Sequence, residues 1–206
     1  PTARRRSPWH NSAMPTAPFP IDSRLPWVGT TIFSVMSRLA AQHGAINLSQ
    51  GFPDFSAPPA LFELVAKHMH AGANQYALMA GATPLREAIA EKVAALYGLT
   101  YDVEQEITVT AGATQAIFTA VAALVRPGDE VIVFEPVYDS YVPSIELNGG
   151  SAVPCRLTFP DYRPDWEEVR ARITPRTRMI IINSPHNPSG AVWTAENLVA
   201  GRILQG

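Results

Sequence analysis

The run Met179-Ile180-Ile181-Ile182 passes straight into Asn183-Ser184-Pro185-His186-Asn187-Pro188-Ser189-Gly190. A short apolar run rich in β-branched residues reads as a buried strand. The prolines, asparagines and glycine that follow end it abruptly. The chain must therefore build a sheet whose strands stop at irregular loops. In open α/β sheets, ligands bind just beyond the carboxyl ends of such strands. Asn187, held between His186 and Pro188, has little backbone freedom and suits a directional donor. A plain Pro/Asn/Gly turn explains the stretch equally well on its own, so the rest of the chain has to decide.

Elsewhere helical and strand patterns alternate. The spacing predicts a helix over Pro59–His70 with Leu61, Leu64, Val65 and Met69 on its buried face and Gly72 as its stop. A second is predicted over Pro84–Tyr97, with Thr83 as N-cap, Leu85, Ile89, Val93 and Leu96 as the buried stripe, and Gly98 at its end. Ile107–Thr110 reads as a strand, followed by a helix over Thr114–Leu124 and a turn at Arg126–Asp129. Further strands are expected at Glu130–Phe134, Ser151–Arg156 and Arg178–Asn183, and Asp165 with Glu168 resembles a capping box. Four strands interleaved with helices at this spacing make an α/β fold with a mainly parallel sheet and flanking helices.

The length of 206 residues allows one domain with a real core. A net charge of −2 favours neither a nucleic-acid nor a membrane-surface partner. The single cysteine, Cys155, cannot form an internal disulfide, which suits a cytoplasmic protein. No apolar run approaches a membrane span. Residues 1–13, with Arg4-Arg5-Arg6 and no acidic group, are expected to be a disordered or extraneous tail ahead of Met14.

Four more segments bear on chemistry. Thr110-Ala111-Gly112-Ala113-Thr114-Gln115 joins a strand to a helix through small residues, whose backbone N–H groups and helix N-terminus favour an anion. Neither a dinucleotide fingerprint nor a P-loop is present there, and tight strand–helix packing explains it equally. Phe134-Glu135-Pro136-Val137-Tyr138 places an aromatic ring after a strand, where it can stack on a planar ligand or simply line a rim. Asn47–Phe55 and Asn74-Gln75-Tyr76 are polar, turn-rich loops. An anion cradle, an aromatic plate and a fixed Asn, each after a strand, suit a flat phosphorylated heteroaromatic such as pyridoxal 5′-phosphate.

With these motifs in their order, the chain resembles the fold-type I, class I/II aminotransferases over roughly residues 20–198. The likeness is greatest to the methionine aminotransferase and kynurenine–oxoglutarate (glutamine) transaminase group. The carrying motifs are Ile46–Phe55, Ala73–Ala77, Val109–Gln115, Gly128–Pro136 and Asn183–Gly190. The resemblance implies pyridoxal 5′-phosphate as cofactor, amino acid and 2-oxo acid substrates, and a homodimer. It implies Gly112, Ala113 and Thr114 at the cofactor phosphate, Tyr138 stacked on the ring, and Asn187 on the ring's phenolic oxygen and near the substrate carboxylate. Asn183 would line the same site and Tyr76 would reach the phosphate of the other subunit's cofactor. Gly51 would contact substrate through its backbone, and Phe33 would line the side-chain pocket.

The family's cofactor-binding lysine sits in a later Ser-x-x-Lys segment, and nothing here matches it. The only lysines, Lys67 and Lys92, lie on polar sides of predicted helices. The later Asp-x-x-Tyr and the carboxylate-gripping arginine are also unmatched, and Leu198–Gly206 departs from the family pattern. The expectation is an incomplete fold: an N-terminal arm and small-domain segment over 14–55, then a truncated large cofactor-binding domain over 56–206. Such a fragment is expected to be inactive alone. Cysteine-conjugate β-lyases and aminocyclopropane-carboxylate synthases share the architecture and are the alternative chemistries; a non-catalytic ligand-binding domain is the alternative class.

Overall fold

The computed structural model describes residues 23–51 and 53–202. The tail at 1–13 and Met14 lie outside the described residues. The elements run α1 (Ile32–His43), α2 (Pro59–His70), α3 (Thr83–Tyr97), α4 (Ala113–Leu124), β1 (Glu130–Glu135), α5 (Tyr141–Leu147), β2 (Ser151–Arg156), α6 (Trp166–Ala171), β3 (Thr177–Ile180) and α7 (Ala195–Arg202).

The sheet has three parallel strands in the order β2-β1-β3. β1 is the central strand and is buried from Glu130 through Phe134. Its alternating side chains build two cores. Val131 and Val133 pack with Val121, Val125 and Ile145 from α4 and α5. Ile132 and Phe134 pack on the opposite face with Cys155, Leu157, Val169 and Trp193. β2 is an edge strand, which is where Pro154 can sit without removing a ladder hydrogen bond. At the start of the sheet the buried Glu130 carboxylate accepts from Thr174 Oγ1 at 2.6 Å and is paired with Arg176. The Thr174 hydroxyl first, then the Arg176 guanidinium, hold its pKa below the usual carboxylate value.

Several sequence expectations need correction. Ile107–Thr110 forms no strand; among the described residues it has no ladder partner, and Val109 N instead donates to Ala80 O at 2.9 Å. A strand exists only through pairing, so three strands and not four form among the described residues. The last strand ends at Ile180, short of Asn183. Thr83 is the first helical residue of α3 and does not cap it; its hydroxyl accepts from Arg86 instead. Asp165 caps α6 by accepting from Glu167 N and Glu168 N, but Glu168 pairs with Arg172 and does not complete the box. The apolar face of α2 is open, with Leu61, Leu64, Val65 and Met69 all about half exposed, because no described element packs on it. In α3, Leu85 and Leu96 are likewise open.

Three helices, α1, α5 and α7, had no counterpart in the sequence reading. Thr31 Oγ1 caps α1 and Gly44 closes it in the left-handed conformation. α5 contains Pro143 within its first turn, where its missing N–H costs nothing. Among the described residues, no helix is long and apolar enough to cross a membrane, and no three His, Cys, Asp or Glu side chains gather as a metal site.

Candidate active site

Two loops at the carboxyl ends of neighbouring strands, β1 and β3, form the heart of the site. The loop after β3 is held from within. Asn187 N donates to Asn183 Oδ1 at 2.7 Å, Gly190 N to His186 O at 2.7 Å, and His186 N to Ala191 O at 2.8 Å. The His186 ring is buried beneath it, with Nδ1 2.8 Å from Ser189 Oγ, and stacks parallel to Trp193. Burial pushes the His186 pKa down, opposed by the adjacent Phe134 carbonyl. Trp193 N donates to Ser184 Oγ at 3.0 Å, closing the loop onto the segment that follows it. With its backbone tied down this way, Asn187 turns outward and is exposed. Its carboxamide makes no hydrogen bond among the described residues, leaving its donors and acceptor available.

On the loop after β1, Tyr138 is half-buried and packs edge-on against Tyr141, the first residue of α5, with ring centroids 5.6 Å apart. The N-terminal arm is brought over α5 by Trp27 Nε1 donating to Glu146 Oε2 at 2.9 Å and Arg24 Nη2 to Leu147 O at 2.8 Å. α1 follows, and Asn47 joins it to the next loop: its Nδ2 donates to Ser37 Oγ, while its Oδ1 accepts from Ser49 N and Ser49 Oγ. These ties deliver Phe33, Ser49, Gln50 and Gly51 to one cavity of about 530 Å³ with Tyr138, Asp139, Asn187 and Pro188. Four of the residues singled out from sequence, Phe33, Gly51, Tyr138 and Asn187, thus line one cavity, and Asn183 adjoins it through its bond to Asn187. Ser49, Gln50 and Asp139 were not singled out, although the first two sit within the Ser-Gln-Gly loop.

Gly112, Ala113 and Thr114 are exposed at the N-terminus of α4 and do not line that cavity. Gly112 has φ +84°, which favours glycine, and a Cβ there would meet open space. The first-turn amides of α4 have no carbonyl to bind within the helix. Gln115 shapes this turn by accepting from Ala111 N at 2.5 Å through Oε1; no pattern rule marks such a local brace. Tyr76 is fully exposed and joins none of these residues. Lys67 and Lys92 are exposed on α2 and α3, and neither lines the cavity.

The residues present fit the ring and phosphate of pyridoxal 5′-phosphate by the chemistry of their donors. A phenol ring and an outward carboxamide share one cavity, and a helix N-terminus with a threonine offers anion donors. An amine to hold the group covalently is not among them.

The chain is similar to known proteins along most of its length. It is 56% identical over 178 residues to methionine aminotransferase of Escherichia coli, covering 86% of this chain and 46% of that protein. It is 48% identical over 181 residues to a probable N-succinyldiaminopimelate aminotransferase of Mycobacterium tuberculosis, covering 86% and 45%. A solved Escherichia coli structure, reported as having a methionine aminotransferase function, superposes with a TM-score of 0.88 at 53% identity, over 91% of this chain and 49% of that one. The chain therefore spans about half the length of the relatives it matches, and its three-stranded sheet with flanking helices is the corresponding portion of the fold-type I architecture. Residues 43–200 match the profile of aminotransferase class I and II. The chain belongs to that family, whose members are pyridoxal-phosphate enzymes.

Proposed function

We propose that this chain supplies the ring- and phosphate-holding half of an aminotransferase that acts on methionine, aromatic amino acids or kynurenine, with a 2-oxo acid as the amino acceptor. The observation that carries this reading is the meeting of Phe33, Gly51, Tyr138 and Asn187, from four separate segments, around one cavity. When bound, pyridoxal phosphate supplies the electron-accepting ring on which an amino group is taken up and passed on. Tyr138 stacks on that ring and Asn187 donates to its phenolic oxygen. Asn183 keeps Asn187 in place, and Gly112, Ala113 and Thr114 take the phosphate through backbone amides and a hydroxyl. Gly51 and Phe33 face the substrate. Tyr76, standing clear of its own chain, reaches the cofactor phosphate of a second subunit in a homodimer. The segment 14–55 serves as arm and small-domain piece, and 56–206 as part of the large domain.

The chain alone is inactive in this reading, because neither of its lysines lies at the cavity. Titration with pyridoxal phosphate tests both parts. Tyr138→Ala and Asn187→Ala are each expected to weaken binding about five- to tenfold, the worth of one stacking contact or one hydrogen bond. Borohydride treatment and mass spectrometry should find no attachment at Lys67 or Lys92. Binding indifferent to both substitutions would sink the site, and stoichiometric attachment to either lysine would sink the inactivity.

A further inference from the structure

Arg86 is the most deeply buried charged group among the described residues, at 1% exposure, and the site described above does not use it. It is fully engaged. Nε donates to Gly81 O at 3.2 Å and Nη1 to Val103 O at 2.5 Å. Nη2 donates to Thr83 Oγ1 and to both carboxylate oxygens of Glu104, at 3.2 and 3.3 Å. Glu104 itself is 70% exposed, so the ion pair is half in water and screened. The carbonyl bonds are the enclosed part.

These contacts converge on the segment that leads into the anion cradle. Among the described residues Ile107–Thr110 pairs with no strand, and it leads directly to Gly112 and the N-terminus of α4. Its start is fixed by the turn at Asp102, whose Oδ1 accepts from Glu104 N and Gln105 N, while Glu106 reaches back to Asp102 N. Arg86 pins that turn through Val103 and Glu104. Its middle is fixed at Val109, which donates to Ala80 O and packs on Gly81 so closely that a Cβ there would lie 2.7 Å from the Val109 side chain. Arg86 pins that contact too, through the Gly81 carbonyl. One guanidinium thus holds both anchors of the segment, and the second anchor closes the loop bearing Tyr76.

We propose that Arg86 is the positioning residue of the anion cradle: through Gly81 and Val103 it aims Gly112–Thr114. This rests on the assignment of the cradle to a phosphate. It also makes Arg86 the mechanical link between the cradle of one site and the Tyr76 loop.

The test uses the full chain, with amide hydrogen exchange and amide chemical shifts read by NMR, and inorganic phosphate and then pyridoxal phosphate as probes. Arg86→Gln should speed exchange at Val109 by about tenfold or more while β1 amides keep their protection, and should abolish the phosphate-induced shifts at Gly112, Ala113 and Thr114. Glu104→Gln, which removes the ion pair and leaves the carbonyl bonds, should change neither reading appreciably. Gly81→Ala, which drives a Cβ into the Val109 side chain and strains the residue whose carbonyl Arg86 binds, should reproduce the Arg86→Gln pattern. Equal loss of protection at Val109 and throughout β1 would show a merely structural arginine and overturn the proposal, as would Arg86→Gln leaving Val109 unchanged. If phosphate shifts nothing in the unsubstituted chain while Val109 responds as expected, the cradle assignment fails and the clamp stands.

Discussion

At the scale of single residues, two buried titratable groups set two pH windows. His186 is neutral in its burial under the loop, with its pKa depressed. Protons bind the unfolded chain first as pH drops below the ordinary imidazole value of about 6.5. Its contribution to stability is therefore complete above that value and is lost as pH falls through the depressed folded value. Glu130, held below its usual pKa by Thr174 and Arg176, adds a second loss below about pH 4.5, the unfolded carboxylate value. Urea midpoints measured from pH 8 to pH 4 should fall in the upper window for the unsubstituted chain and stay flatter there for His186→Gln; equal slopes would remove His186 from the account. Asn187 was legible from sequence because a residue between His186 and Pro188 at a strand's end has few backbone options. His186 was not, because nothing in its neighbours says that its ring points inward to Ser189 while Asn187 points out.

At the scale of elements, what was legible is what carries its own signals. α2, α3 and α4 are bounded by Pro or Gly at their ends, and β1 and β2 by turns, so their extents agree with the sequence reading to within a residue or so. α5 was missed because Pro143 reads as a breaker, although the first turn of a helix tolerates it. Ile107–Thr110 was misread for the opposite reason: its composition is that of a strand, but pairing is a property of two segments and not of one. The same distinction governs α6. Asp165→Ala removes the acceptor of two amides and should cost about 1 kcal/mol in a denaturant titration. Glu168→Gln should cost less, since it gives up only the half-exposed bond to Arg172. A larger loss from Glu168→Gln than from Asp165→Ala would restore the reciprocal box that the geometry does not show.

At the scale of the whole molecule, apolar surface is unevenly hidden. α1 and α2 bury no residue, and Ile46, Leu48, Leu78 and Met79 are among the most exposed apolar side chains. A surface of this kind marks an interface or an association liability. The chain at micromolar concentration should bind an apolar fluorescent dye and sediment as more than a monomer; a clean monomer that binds no dye would mean these helices fold back onto the core in solution. The burial map also says how the chain should come apart. Apart from Arg86 and Ile107, every fully buried position among the described residues lies between Val121 and Trp193. That stretch contains both faces of β1, and the arm, α1, α2 and α3 contribute to neither core. A brief digestion should therefore peel the polypeptide from its amino-terminal side, cutting first in the loops at 44–58 and 71–82. It should leave a resistant kernel that begins near Gly112 and still contains Tyr138 and Asn187.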